Sequence, residues 1–213
     1  MLTVHHLGKS QSERIVWLCE ELAIPYRLER YDRDPVTMLA PPEYKALHPI
    51  GAAPVITDGD LVVAESGAIV EYIIAKYGNC RLTAGPLDGN FADYLYWLHF
   101  NSGTFQPMMV RAMMLRRSGA AADNAVMIAT NRRISGAHGL IDTRLGRTSY
   151  LAGEELTAAD IMSVFTLTTM RYFMPFDLGP YPNILAYLKR IAERSAYRTA
   201  MCRADPDMPL LLS

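Results

Sequence analysis

The chain has 213 residues, half of them hydrophobic, and its 21 Lys and Arg against 22 Asp and Glu give a formal net charge of -1. That length holds one large domain or two small ones with ample apolar material for a core. The near-neutral balance offers no general attraction to nucleic acid or to an anionic membrane, which leaves a small molecule as the expected partner.

The N-terminal Met1-Leu2-Thr3-Val4-His5-His6 has no basic segment leading into an apolar stretch, and no apolar run approaches membrane-spanning length. Cys19, Cys80 and Cys202 are widely spaced and form no Cys-x-x-Cys, while His48, His99 and His138 are scattered. A cytoplasmic protein with no disulfide framework, no dithiol pair and no metal site is expected, with Cys19 packing as a small hydrophobe.

In chain order, Leu2 to Leu7 reads as a strand and Ser12 to Leu22 as a helix. Ile15, Val16, Leu18, Cys19 and Leu22 form its buried stripe, while Glu13 and Arg14 stay wet or pair. Tyr26 to Tyr31 is extended, and roughly Pro42 to Leu47 is a short helix. Val55-Ile56-Thr57 and Leu61-Val62-Val63, joined by Asp58-Gly59-Asp60, form a β-hairpin. Pro54 cannot donate to a ladder and so stands at the first residue of a strand, after a bond that tolerates the cis form. Ser66 reads as the N-cap of a helix carrying Ile69, Tyr72 and Ile73, whose free N–H groups suit a carboxylate. Each of these features is also explained by structure alone.

The order β-α-β-α-β-β-α ends near residue 80, residues 81–90 are a loop by composition, and only helices follow over 91–213. Phe91, Leu95, Leu98 and Phe105 mark a long helix that Pro107 kinks or ends. Ala125 to Leu145 is another. Thr157-Ala158-Ala159-Asp160 has the form of a capping box opening a stripe of Ile161, Val164, Phe165 and Thr168, and Ile184, Leu185, Leu188 and Ile191 make a helix after Pro182.

Four ordered segments carry a resemblance: Val4-His5-His6-Leu7 through Arg14, Pro49-Ile50-Gly51-Ala52-Ala53-Pro54, Glu65-Ser66-Gly67-Ala68-Ile69 and Leu156-Thr157-Ala158-Ala159-Asp160-Ile161. Over essentially its whole length the chain resembles the glutathione transferases, and within them the bacterial and fungal soluble enzymes with a serine in the active-site loop. The resemblance implies an α/β thioredoxin-like N-terminal domain and an all-α helical-bundle C-terminal domain. It also implies a cytoplasmic homodimer engaged in detoxification.

It further implies that Ser10, four residues before Arg14, activates the thiol, with Ser12 as the alternative if it does more than cap the helix. Ala53, before a cis Pro54, would pair its backbone with the cysteinyl part of glutathione. Ser66 and its helix N-terminus would receive the γ-glutamyl carboxylate, and Glu65 would lie near the ammonium. One departure is Ala52, where many relatives have a lysine or glutamine that reaches the ligand, so the glycyl carboxylate needs another partner or affinity falls.

A free thiol with a pKa of about 8.5 is mostly protonated at neutral pH, and the thiolate is the nucleophile. Lowering that pKa by two units requires about 2.7 kcal/mol, the size of one charge-assisted hydrogen bond plus a helix dipole. The adjacent His5 and His6 occupy a strand and read as structural, with no histidine evident as a partner for the serine. The second substrate, a hydrophobic electrophile or peroxide, is expected between the domains near Phe105, Met108, Tyr172, Arg111 and His99, although most of the methionines are core filler. The alternatives are a glutathione-dependent isomerase or dehalogenase, or a non-catalytic ligand-binding or partner-binding protein on the same scaffold.

Overall fold

The computed structural model describes all 213 residues. By internal packing the chain divides into two units, residues 1–82 with 191–210, and residues 83–190 with 211–213. This differs from a single cut in the loop over 81–90, because a C-terminal segment groups with the N-terminal unit.

The first unit runs β1 (Leu2–Leu7), α1 (Glu13–Leu22), β2 (Arg27–Tyr31), α2 (Pro42–Lys45), β3 (Val55–Asp58), β4 (Leu61–Ala64) and α3 (Ser66–Tyr77), in the order the sequence predicts. The strands lie side by side as β2-β1-β3-β4. β1 pairs parallel with β2, while β3 is antiparallel to both β1 and β4. This is the thioredoxin-like arrangement. A parallel pair needs a crossover, which α1 supplies. Central β1 is buried at every residue but Thr3, as a strand covered on both faces must be. Gly59 takes the positive φ of +62° that turns the hairpin.

Against this sheet α1 buries Ile15, Val16, Trp17, Leu18 and Leu22, and α3 buries Ile69, Val70, Ile73 and Ile74. Cys19 is buried too, and burial pushes its thiol far above the ordinary range, so it packs as a hydrophobe. A final helix, α9 (Ser195–Ala204), has no counterpart in the elements read from sequence. It buries Tyr197, Ala200, Met201 and Ala204 at helical spacing, with the Tyr197 ring edge-on to Trp17 at 5.0 Å. Arg194 clamps Glu21 of α1 through two nitrogens at 2.6 and 2.8 Å.

The second unit contains α4 (Phe91–Phe100), α5 (Gln106–Arg117), α6 (Ala125–Leu145), α7 (Ala158–Leu167) and most of α8 (Pro182–Glu193). A π-helical turn over Asn101–Phe105 joins α4 to α5. It places Pro107 in the first turn of α5, where a missing N–H breaks no helical bond. The capping box at α7 is present: Ala159 N–H donates to Thr157 Oγ1 at 3.3 Å, and Thr157 N–H donates to Asp160 at 2.9 Å. Asp160 also accepts from Leu151 N–H at 3.0 Å and from the Tyr187 hydroxyl at 2.9 Å, tying α7 to α8. No helix is long and apolar enough to cross a membrane.

Candidate active site

The loop between β1 and α1 is where the backbone first turns left-handed, at Lys9 with φ of 53°. It delivers Ser10 and Ser12 to the start of α1, and both are buried, Ser10 at 4% exposure. Their hydroxyl oxygens lie 2.7 Å apart, and Ser12 N–H donates to Ser10 Oγ at 3.2 Å.

Ser12 stands at the cap position of α1, but its hydroxyl makes no cap hydrogen bond, which corrects its sequence assignment as a simple cap. Its Oγ accepts from Leu7 N–H at 3.1 Å and lies 2.9 Å from His6 Nδ1, and these partners hold it away from the helix amides. On the far side of the ring His6 Nε2 is 3.0 Å from Asp205 Oδ2, and Asp205 Oδ1 accepts from Lys9 N–H at 3.0 Å. The expectation that no histidine partners a site serine is therefore corrected. His6 does so, while its neighbour His5 faces away to Tyr31 and Thr57 at 3.0 and 3.1 Å, as alternation along a strand requires.

The Ala53-Pro54 peptide is cis, with Pro54 buried immediately before β3. The Ala53 carbonyl accepts from Gln11 Nε2 at 2.7 Å, and Gln11 Oε1 accepts from Arg14 Nη1 at 3.0 Å. The same nitrogen of Arg14 reaches Ser66 Oγ at 3.4 Å. Gln11 and Arg14 thus bring three distant segments, residues 10–14, 53–54 and 65–66, into one cluster. Neither was assigned this role from sequence. Glu13 and Arg14 are buried rather than wet, Arg14 at 1% exposure. Burial draws the Arg14 guanidinium down to about 9, against the pull of Glu13, so it remains charged at neutral pH.

Ser66 is the first residue of α3 and Glu65 occupies the cap position, a shift of one from the sequence expectation. The cause is the backbone of Glu65, whose φ of 73° turns the chain straight from β4 into the helix. Because the first helical bond runs from Ile69 N–H to the Glu65 carbonyl, the amides of Ser66, Gly67 and Ala68 have no acceptor within the helix. Ser66 is buried and Glu65 is exposed.

The residues proposed to meet a second substrate all lie in the second unit. Phe105 is fully buried, stacked on Phe100 at 6.2 Å and edge-on to His138 at 5.1 Å, so its ring is core packing. Met108 is half-buried and Arg111 exposed, one turn apart on α5, and His99 is exposed on α4. Tyr172, in a 3-10 turn after α7, is 38% exposed. Arg111 also lines a groove of about 320 Å³ with Val126, Thr130 and Arg133 of α6.

Residues 1–75 match the N-terminal domain of the glutathione S-transferases, and residues 106–195 match their C-terminal domain. Glutathione S-transferase 3 of Schizosaccharomyces pombe is 30% identical over an alignment covering 100% of this chain and 92% of the relative. This chain belongs to the glutathione S-transferase family. A crystal structure of a glutathione S-transferase from Actinobacillus pleuropneumoniae, 33% identical, matches the transferase with a TM-score of 0.87 over 96% of this chain and 93% of that one. A glutathione transferase of Phanerochaete chrysosporium, solved with oxidised glutathione, shares its fold at a TM-score of 0.77 and 20% identity over 96% of each chain. As a member of this family the transferase is an enzyme with glutathione as co-substrate.

Proposed function

We propose that this transferase activates the thiol of glutathione at Ser10 and presents it to a small hydrophobic electrophile or peroxide. The observation that carries this reading is the linkage of Ser10's loop to Ala53 and Ser66 through Gln11 and Arg14. Ser10, in the loop that leads into α1, thus shares one cluster with a cis-proline backbone and three helix amides. The cysteinyl backbone would pair with Ala53 beside Pro54, and the γ-glutamyl carboxylate would be received by Ser66 and the N-terminus of α3, with Glu65 near the ammonium. A Ser10 O–H donating to sulfur stabilises the thiolate over the thiol, which raises the fraction of nucleophile at neutral pH. Conjugation then forms the carbon–sulfur bond and releases the electrophile's leaving group or, in Michael addition, leaves the pair on the acceptor. With a peroxide, sulfur attacks one oxygen, the O–O bond breaks and the alcohol leaves, and a second glutathione converts the resulting sulfenic acid to oxidised glutathione and water.

Ala52 is exposed and ends in a methyl, so it offers the glycyl carboxylate no polar partner. γ-Glutamylcysteine should therefore bind within about threefold of glutathione, whereas cysteinylglycine, which lacks the γ-glutamyl charges, should bind far more weakly. Met108, Arg111, Tyr172 and His99 are the acceptor-side candidates, and Phe105 supports them from the core. A cytoplasmic homodimer with a detoxifying role belongs to the same proposal, and sedimentation checks the oligomeric state. The deciding experiment assays a panel of electrophiles and peroxides with the wild type and with Ser10→Ala. The variant should lose about tenfold or more in turnover with little change in glutathione affinity. Undiminished turnover would transfer the role from Ser10.

A further inference from the structure

Four buried groups at this site form an unbroken chain that the role of Ser10 alone leaves unexplained: Ser10 Oγ, Ser12 Oγ, His6 and Asp205, joined at 2.7, 2.9 and 3.0 Å. Their hydrogen inventory is nearly fixed. Asp205, as a carboxylate, only accepts, so His6 Nε2 carries a proton. Burial works against that carboxylate, but the hydrogen bond of His6, the Lys9 amide and Arg30 together hold its pKa below the ordinary value. Ser12 Oγ already accepts from Leu7 N–H, and its single proton has His6 Nδ1 at 2.9 Å or Ser10 Oγ at 2.7 Å as good acceptors, with the Leu7 carbonyl a poorer one at 3.4 Å.

Two arrangements satisfy the three contacts of the chain, and neither uses the longer one to the Leu7 carbonyl. With neutral His6, Ser12 O–H donates to Nδ1 and Ser10 O–H donates to Ser12, so Ser10 presents a lone pair outward. With His6 as imidazolium, Nδ1–H donates to Ser12, Ser12 O–H donates to Ser10, and the Ser10 proton is released to point outward. A thiol S–H suits the first arrangement and a thiolate suits the second.

We infer that His6, Ser12 and Asp205 are positioning residues that receive the glutathione proton along this chain and turn the Ser10 hydroxyl into a donor toward sulfur. The inference rests on Ser10 being the thiol contact. The S–H bond breaks and its electron pair stays on sulfur. Ser10 gains the thiol proton as its own passes to Ser12, Ser12 passes its proton to His6, and the Nδ1–H bond forms. Net charge is conserved: a neutral thiol and a neutral imidazole become a thiolate and an imidazolium lying against the Asp205 carboxylate. The charged groups that act on the pair are Arg30 on β2 and Arg33 beyond it, both on Asp205, while Glu13 and Arg14 are the buried charges at the start of α1. His5, the adjacent titratable group on β1, is held by Tyr31 and Thr57 and has its pKa lowered by burial.

The test follows the thiolate absorbance of bound glutathione against pH in the wild type, Ser10→Ala, Ser12→Ala, Ser12→Thr and Asp205→Asn, with affinity measured separately by S-methylglutathione. Ser12→Ala and Asp205→Asn should each move thiolate formation up by about one pH unit with S-methylglutathione affinity unchanged, and Ser12→Thr, which keeps the hydroxyl, should restore it. Superposable titrations for the wild type, Ser12→Ala and Asp205→Asn would overturn the inference. If only Ser10→Ala shifts the titration, the relay fails and the Ser10 role stands; if Ser10→Ala does not shift it, both fail. The folded wild type supplies a readout independent of any variant. Nitrogen NMR of the His6 ring should show a second N–H when glutathione binds and none with S-methylglutathione, and an unchanged ring would contradict the relay.

Discussion

The loop between β1 and α1 and the outer face of α5 are built in opposite ways. In and beside the loop, Ser10, Ser12, His6 and Arg14 are all buried and each makes a named hydrogen bond, so a shift of any of them breaks polar contacts that water cannot replace. On α5, Met108 is half-buried and Arg111 exposed, on side chains with many rotamers. The difference matches the tasks proposed for them. One tripeptide, always the same, rewards a fixed site, whereas electrophiles of varied shape are met by an adaptable surface that discriminates weakly.

The largest effect should come from breaking the fixed region at Arg14. Arg14→Ala removes the buried cation from Gln11, Ser66 and Glu13, and should cost about 3–5 kcal/mol in denaturant unfolding. A loss under about 1 kcal/mol would show the loop to be no more constrained than α5.

The second unit has a fixed region of its own, which sharpens the contrast to one between core and surface. His138 of α6, 3% exposed among Phe105, Phe176 and Tyr181, has a buried Nε2 with no hydrogen-bond partner. Burial lowers its pKa from 6.5 to about 4, against the Ile134 carbonyl. The unfolded chain therefore takes up a proton that the fold refuses. Stability is intact above pH 6.5 and falls as the pH drops toward 4, by up to about 3 kcal/mol. Unfolding measured across that window in His138→Phe should lose this portion of the slope.

Glu65 tests whether backbone strain is reserved for the glutathione side. Its φ of 73° costs about 1–3 kcal/mol in a non-glycine residue, so Glu65→Gly should leave stability equal or up to about 1 kcal/mol higher while glutathione affinity falls. The smallest effects belong to the acceptor side. Met108→Ala and Arg111→Ala should change kcat/KM by only about two- to fivefold, to different extents for different electrophiles, and leave glutathione affinity alone.

Much of the fold is legible in the sequence because it follows from local rules. The β-branched runs about Asp58-Gly59-Asp60, the capping box at Thr157 and Asp160, and the stripe of Ile15, Val16, Leu18, Cys19 and Leu22 in α1 each announce themselves within about ten residues. α9 escapes because its buried residues are Tyr197, Ala200, Met201 and Ala204, two of them too small to mark a stripe, although their spacing is helical. What depends on distant partners is hidden. Ser12 looks like a cap until His6 and the Leu7 amide claim its hydroxyl, and His6 looks structural until Asp205, 199 residues later, reaches its ring. Gln11 and Arg14 are anonymous polar residues until the fold sets them between Ala53 and Ser66. The one signal that could have found Asp205 is an acidic residue just after a short apolar-faced helix, and that is a weak one.

The central claim is that Ser10 addresses the sulfur of glutathione from a cluster shared with Ala53 and Ser66, and a crystal structure of the complex with reduced glutathione tests it most directly. Sulfur should lie within hydrogen-bonding distance of Ser10 Oγ, with the γ-glutamyl carboxylate at the α3 N-terminus. Sulfur placed away from Ser10, or a tripeptide bound with its γ-glutamyl end away from Ser66, would contradict it.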